Sequence, residues 1–239
     1  MIINAEKLDF CELNRKLRHS GGNCKITGCI GQRFIAAGMR EKKITIEGVP
    51  GNALGAYLSG ACVEVFGNAQ DAVGDTMDGG EIIVHGSIGD AAGYAMRGGK
   101  IFAKGNAGYR AGIHMKAYHD KLPVLIIGGC AGSFLGEYQA GGIIIVLGLG
   151  TDGVNIVGNF PCTGMHGGKM FLRSDCKNIV FPSQVHTTAA SDNDKAEIAE
   201  YIKEFCEKFG CSESEIMSSE FTVVTPDSRN PYKQMYVPN

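Results

Sequence analysis

The sequence lacks the features that mark several common protein classes. No apolar run approaches the roughly 20 residues that cross a bilayer, and the opening MIINAEKLDF has no basic stretch followed by an apolar one, so no secretory signal is expected. The net charge is only −2, with both signs mixed along the chain, which argues against nucleic acid or a membrane as a partner. Nine cysteines without a signal indicate free thiols in a reducing compartment. The expected location is the cytoplasm.

Glycine is the residue that the sequence has in excess. There are 35, about twice the usual share, although a glycine inside a regular element costs roughly 0.5–1 kcal/mol relative to alanine. The glycines recur with a period of about 19 residues, and a second glycine follows the first by seven. The predicted structural corners are Gly48, Gly55, Gly67, Gly74, Gly86, Gly93, Gly105, Gly112, Gly129 and Gly136. A five-residue insertion within 116–121 and about seven extra residues after Gly148 interrupt the period.

Apolar residues share this period and alternate within each repeat, which is typical of strands with one buried face. The alternating pairs are Val63 with Val65, Ile82 with Val84, Ile101 with Ala103, Leu125 with Ile127, Ile144 with Val146, and Met170 with Leu172. A second column is Leu54, Val73, Ala92, Ala111 and Leu135, and a third is Leu58, Met77, Met96, Met115 and Met165, interrupted by Gln139. The sequence therefore predicts an all-β fold, a right-handed parallel β-helix of about seven coils, each with several short strands.

Both termini are predicted to carry helices that cover the open ends of the stack. Residues 1–23 form an N-terminal helical cap, opened by a capping box of Asp9 and Glu12. Residues 24–183 form the β-helix, and residues 184–239 form C-terminal helices and an extended tail. In that region Asp194–Phe209 reads as an amphipathic helix that stops at Gly210, and Ser212 opens a shorter one.

Three kinds of binding motif are disfavoured. Gly-x-x-Gly recurs once per coil with no helix after it, unlike a nucleotide loop. Gly-Asp pairs at 74/75 and 89/90 do not continue down the stack, unlike a calcium-binding β-roll. The pairs Cys24/Cys29 and Cys206/Cys211 lack the spacing of zinc or iron–sulfur ligands, so buried reduced thiols are the favoured interpretation.

The histidines offer the main catalytic alternative. His114 and His119 lie in and beside the insertion of the fifth coil, and His166 lies in GMHGGK. A β-helix acyltransferase would use one histidine as a general base, but those enzymes are built from hexapeptides, and 19 residues per coil do not fit six. We predict no catalytic, cofactor-binding or metal-binding residue.

The glycine frame from Gly28 to Gly168 resembles the GXGXG domain, the C-terminal β-helix of the large subunit of glutamate synthase. The segments that carry the resemblance are GGEIIVHGSIGDAAGYAMRGGKIFAKGNAGYRAG and TGMHGGKMFLRSD. The flanking DFCELNRKLR and FTVVTPDSRNPYKQMYV are similar to segments beside that domain when it is a free-standing, archaeal-type subunit.

The resemblance implies a non-catalytic structural subunit of an enzyme that forms glutamate from glutamine and 2-oxoglutarate. Its partners would be a central FMN chain, a glutaminase chain and a reductase chain, and these would hold the FMN, iron–sulfur and NAD(P)H sites, with no cofactor in this chain. A related β-helix forms the solenoid scaffold of formylmethanofuran dehydrogenase, which is the first alternative. An independent solenoid enzyme with a histidine base is the second, and the sequence leaves open whether the chain forms a homo-oligomer.

Overall fold

A computed structural model describes residues 1–151 and 155–227 of the chain. The strands are β1 (Ile2–Asn4), β2 (Cys24–Ile30), β3 (Lys43–Val49), β4 (Ser59–Phe66), β5 (Asp78–Val84), β6 (Gly98–Ala103), β7 (Pro123–Ile127), β8 (Ala140–Val146), β9 (Gly167–Leu172), β10 (Val185–Ala189) and β11 (Thr222–Pro226). The helices are α1 (Phe10–His19), α2 (Asp192–Phe209) and α3 (Glu213–Ser218). Within these ranges, no helix has the length and apolarity to cross a membrane.

The strands form one sheet in the order β1 to β9, then β11 and β10. Strands β1 to β9 pair in parallel with their neighbours in chain order, so the chain winds as a β-solenoid of about eight turns. The predicted parallel β-helix is confirmed. The additional turn comes from β1, which pairs Ile2 with Lys25 and which the sequence assigned to the helical cap. Three residues are too few to show an alternating pattern.

The inner face of the sheet is the core that the alternating pairs predicted. Ile44, Val63, Ile82, Ile101, Leu125 and Ile144 lie in register on successive strands, all at 0% exposure. Each fully buried aliphatic side chain contributes roughly 1.5–3 kcal/mol. The columns through Leu54 and Leu58 are buried as well. The interior is filled by side chains from all sides of the coil.

The other two sides of the coil differ from the prediction of several short strands. One side makes a single bridge per coil, from Ala69 through Ile88, Ala107 and Ala131 to Val157. The remaining side is a turn rather than a strand, because its backbone repeatedly adopts left-handed conformations. Each described coil from β2 to β9 therefore contributes one regular strand.

The outer face of the sheet changes character along the stack. In β3 buried residues alternate with exposed ones, whereas β8 is buried from Gly141 onward. The second pattern is typical of a strand covered on both faces, and α2 supplies the cover, with Ile202 and Phe205 packed in one apolar cluster with Phe102. The C-terminal helices are thus present, with α2 along the side of the solenoid, while β11 and β10 extend the sheet at its end.

The helix ends follow the predicted capping chemistry with one shift. The Ser191 hydroxyl and the Asp194 carboxylate form a reciprocal capping box, so α2 begins at Asp192 and not at Asp194. The Asp9 carboxylate accepts the Glu12 amide at 2.8 Å, while the Glu12 carboxylate pairs with Arg15 at 3.8 Å. Part of the region after Gly148 and all of residues 228–239, which include most of the predicted extended tail, lie outside the described residues.

Candidate functional site

The turn side of each coil has an unusual backbone with three left-handed residues at alternate positions. In one coil these are Ala91, Gly93 and Ala95, with φ of 55°, 70° and 49°. The Ala91 and Ala95 amides donate to the following coil, to Tyr109 O at 2.7 Å and Ile113 O at 2.9 Å, whereas the Gly93 amide donates to Val73 O of the preceding coil at 2.7 Å. The left-handed residues therefore tie each coil to both neighbours.

The predicted glycine corners fall into two groups. The middle left-handed position, with φ between 65° and 72°, holds Gly55, Gly74, Gly93, Gly112 and Gly136. The corners at Gly86, Gly105 and Gly129 face the preceding coil so closely that a side chain would collide with it; a Cβ at Gly105 would lie 2.5 Å from Ser87 Oγ. Gly48 and Gly67 would likewise meet backbone of the preceding coil.

The first left-handed position shows a choice that folding does not require. Alanine occupies it in three coils, at Ala53, Ala72 and Ala91, but Phe34, Phe134 and Phe160 occupy it elsewhere. A left-handed conformation costs a non-glycine residue roughly 1–2 kcal/mol and is a genuine outlier for a bulky one. Because alanine suffices for this backbone, the aromatic rings serve a purpose other than the turn.

Several of these rings meet on the surface of the later coils. We call this group the aromatic cluster: Tyr94, Arg110, His114, Phe134, Tyr138 and Phe160. Phe134 and Phe160 stack with centroids 5.3 Å apart, and the Arg110 guanidinium lies 5.1 Å from the Phe134 centroid. His114 stacks on Tyr138 at 5.2 Å, and Tyr94 meets His114 edge-on at 6.0 Å. Phe160 is 62% exposed.

The charge in the aromatic cluster is balanced. Arg110 Nε lies 2.9 Å from Glu137 Oε2, so the guanidinium has a carboxylate partner while its face covers Phe134. Exposed tyrosine and phenylalanine rings around a paired arginine have the composition of the centre of a protein–protein interface.

The three candidate histidines pack against different neighbours. His114 belongs to the aromatic cluster, and His119 meets the Tyr118 ring edge-on at 4.2 Å. The His166 Nδ1 lies 3.0 Å from Gly164 O. The predicted insertion around His119 is a tight turn in which Tyr118 and Lys121 exchange backbone hydrogen bonds.

All nine cysteines are free thiols. Burial raises the pKa of Cys29 to about 11, that of Cys162 to about 12 and that of Cys206 to about 11. These groups stay protonated near neutral pH, whereas the thiolate is the metal ligand. Over residues 1–151 and 155–227, no cluster of three His, Cys, Asp or Glu residues has an arrangement that could hold a metal ion.

Gln139 is a polar side chain inside the methionine column, at 0% exposure. Its amide nitrogen donates to Gly142 O at 3.2 Å and to Gly141 O at 3.3 Å. Its Oε1 has no hydrogen-bond partner among the described residues, and such an orphaned buried acceptor costs about 1–3 kcal/mol. The sequence indicated the interruption of the column but not this cost.

Comparison with known proteins identifies the fold family. The model of the family described as GXGXG motif matches residues 11–227. The chain belongs to the GXGXG motif family. It is also 44% identical to an uncharacterized protein from Methanocaldococcus jannaschii over an alignment of 253 positions, which covers 100% of this chain and 97% of the relative.

Among solved structures, the chain is similar to a chain of the formyltransferase/hydrolase complex (FhcABCD) from Methylorubrum extorquens, solved in complex with methylofuran. The TM-score is 0.64 at 21% identity, covering 86% of this chain and 73% of that one. At this identity the likeness establishes the shared solenoid fold and no more.

Proposed function

We propose that the chain is a structural subunit of a multi-chain enzyme and that the aromatic cluster is a surface on which another chain docks. The observation that carries this proposal is the set of exposed aromatic residues at left-handed positions that alanine fills in other coils. Exposed aromatic patches on a rigid scaffold are typical of docking sites. The filled interior supports the same role, since it gives the solenoid the rigidity of a spacer.

Two complexes are candidates for the whole enzyme. The resemblance of the glycine frame and of the segments around α1 and β11 supports a glutamate synthase, with separate glutaminase, FMN and reductase chains. The solenoid that this chain shares with a member of the formyltransferase/hydrolase complex supports the alternative, a scaffold related to the β-helix of formylmethanofuran dehydrogenase. The family match is compatible with both, and the solved structure favours the second.

The experiment is purification of the tagged chain from its native host, followed by identification of the chains that accompany it. Synthase and glutaminase chains would assign the first complex, and metal–pterin oxidoreductase chains would assign the second. The purified chain by itself should form no glutamate and bind no flavin. Turnover by the isolated chain that His114→Ala or His166→Ala abolishes would contradict the structural role.

A further inference from the structure

A second surface lies at the opposite end of the solenoid, in a groove between α1 and the first coil. The groove holds about 480 Å³ and is lined by Phe10, Cys11, Asn14, Arg15, Arg18, His19, Phe34 and Ala37. The Phe10 and Phe34 rings form its apolar part, with centroids 5.7 Å apart and exposures of 39% and 42%.

The groove is held open by a buried side chain. Asn14 Nδ2 donates to Phe34 O at 2.9 Å, and Asn14 Oδ1 accepts the Ala36 amide at 3.0 Å. These bonds fix the position of α1 relative to the left-handed backbone of the first coil. A ligand would therefore meet a preformed site and would not have to order it.

The polar part of the groove is cationic. Arg15 and Arg18 stand on its α1 side beside His19, and no acidic residue is found among its described lining residues. Arg18 uses one of its five donors on Ala37 O, at 3.3 Å, and Arg15 has only a long contact with Glu12. The surroundings share this sign, because residues 1–43 contain nine of the 23 Lys and Arg but four of the 25 Asp and Glu.

Phe34 is again a residue that the turn does not require. It is left-handed, with φ of 56°, at the position that Ala53 occupies in the next coil. Its ring is therefore exposed at an energetic cost, beside two arginines with unused donors. An aromatic surface next to bidentate cations fits a ligand that offers an apolar group and a carboxylate together.

We propose that this groove binds a segment of a partner chain in which an apolar side chain is flanked by carboxylates. The apolar side chain packs on Phe10 and Phe34, and the carboxylates pair with Arg15 and Arg18. The proposal rests on the structural-subunit function, and it names the chemistry by which one partner is recognised at the α1 end of the solenoid.

Cys11 allows a direct test, because it is exposed and lines the groove. The complex purified from the native host is labelled with benzophenone maleimide and irradiated, and the cross-linked peptides are identified by mass spectrometry. A Cys11→Ser sample removes signals that arise at other thiols. We expect a peptide of a partner chain with at least two Asp or Glu residues around an apolar one.

Cross-links only to a second copy of this chain, only to nucleic acid, to a partner segment without carboxylates, or to nothing would each overturn the proposal. In those cases the co-purifying chains would still support the structural-subunit function. If no partner chain co-purifies, the structural-subunit function itself fails, so the two failures are distinguishable.

A charge reversal provides the matched control. Arg15→Glu and Lys16→Glu change the charge equally on neighbouring exposed positions of α1, but only Arg15 lines the groove. We expect Arg15→Glu to weaken partner binding at least about tenfold and Lys16→Glu to change it less than about twofold. Phe34→Ala should weaken binding without lowering Tm. Equal effects of the two charge reversals would refute a groove-specific contact.

Discussion

Ile144 on β8 fills the space that a side chain at Gly112 would need. The equivalent residue of the preceding coil, Gly93, has more room, since a Cβ there would lie 3.7 Å from its nearest neighbour, Leu125 Cδ2. The two backbones have nearly the same φ, 72° and 70°. Glycine at Gly93 is therefore required by backbone conformation alone, and at Gly112 by conformation and packing together.

This difference predicts unequal costs for the same substitution. Gly93→Ala should lower the free energy of unfolding by about 1–2 kcal/mol, the cost of a left-handed alanine, and Gly93→Val by more, because a β-branched residue is disfavoured there. Gly112→Ala should exceed Gly93→Ala, because Ile144 must also move. Urea denaturation of the three variants measures the order, and an unchanged stability of Gly93→Val would refute this account of the turn.

Asn106 forms one rung of a side-chain ladder between coils. Its Oδ1 accepts the Cys130 amide of the next coil at 2.8 Å, as Asn68 accepts the Ser87 amide at 2.8 Å. Asn106→Ala should destabilise the protein by about 0.5–1.5 kcal/mol, and Asn106→Asp, which keeps the acceptor, should be closer to the wild type. If alanine and aspartate give the same midpoint in urea, the hydrogen bond contributes nothing.

The capping box of α2 predicts a pH dependence. Hydrogen bonds from the Ser191 hydroxyl and amide, at 2.5 and 3.0 Å, hold the pKa of Asp194 below its ordinary value of 3.8. The carboxylate thus stabilises the folded state fully above pH 3.8 and loses this contribution as the pH falls through the lowered value. Asp194→Asn should flatten the acid side of the stability curve; a curve parallel to that of the wild type would exclude the effect.

Phe205 is the centre of the contact between α2 and the sheet, at 0% exposure. Phe205→Ala should lower the free energy of unfolding by about 3–5 kcal/mol, because it removes a buried ring and leaves a cavity. Glu200, exposed on the same helix, gives the control, and its replacement by alanine should stay within about 0.5 kcal/mol. Similar effects at the two positions would mean that α2 does not cover the sheet as described.

The sequence carries the core of the fold in a form that can be read directly. Val63 and Val65 alternate inward, and so do their counterparts in each later coil, because stacking places equivalent residues of every coil in equivalent surroundings. The position of α2 also had a signal, since the unbroken run Ile143–Val146 differs from the alternating Lys43–Glu47. Recognising it requires weighing the outer face of each strand as well as the inner one.

The candidate surfaces were harder to predict for a physical reason. The sequence pattern marks left-handed backbone only where glycine is present, yet Phe34, Phe134 and His114 adopt it because hydrogen bonds between coils offset its cost. Which rings meet depends on the register of the stack, and the insertion within 116–121 alters the sequence spacing just where the aromatic cluster forms. His114 and Tyr138 thus become neighbours across the insertion.

The most direct test of the structural-subunit account compares the complex assembled by the wild-type chain with that assembled by a Phe134→Ala, Phe160→Ala variant. Since alanine occupies this backbone position in three coils, the variant should keep its thermal unfolding midpoint, and tag purification from the host should recover far less of the partner chains. Recovery of the partners at the wild-type level, from a variant that is equally folded, would contradict the claim that the aromatic cluster is the docking surface.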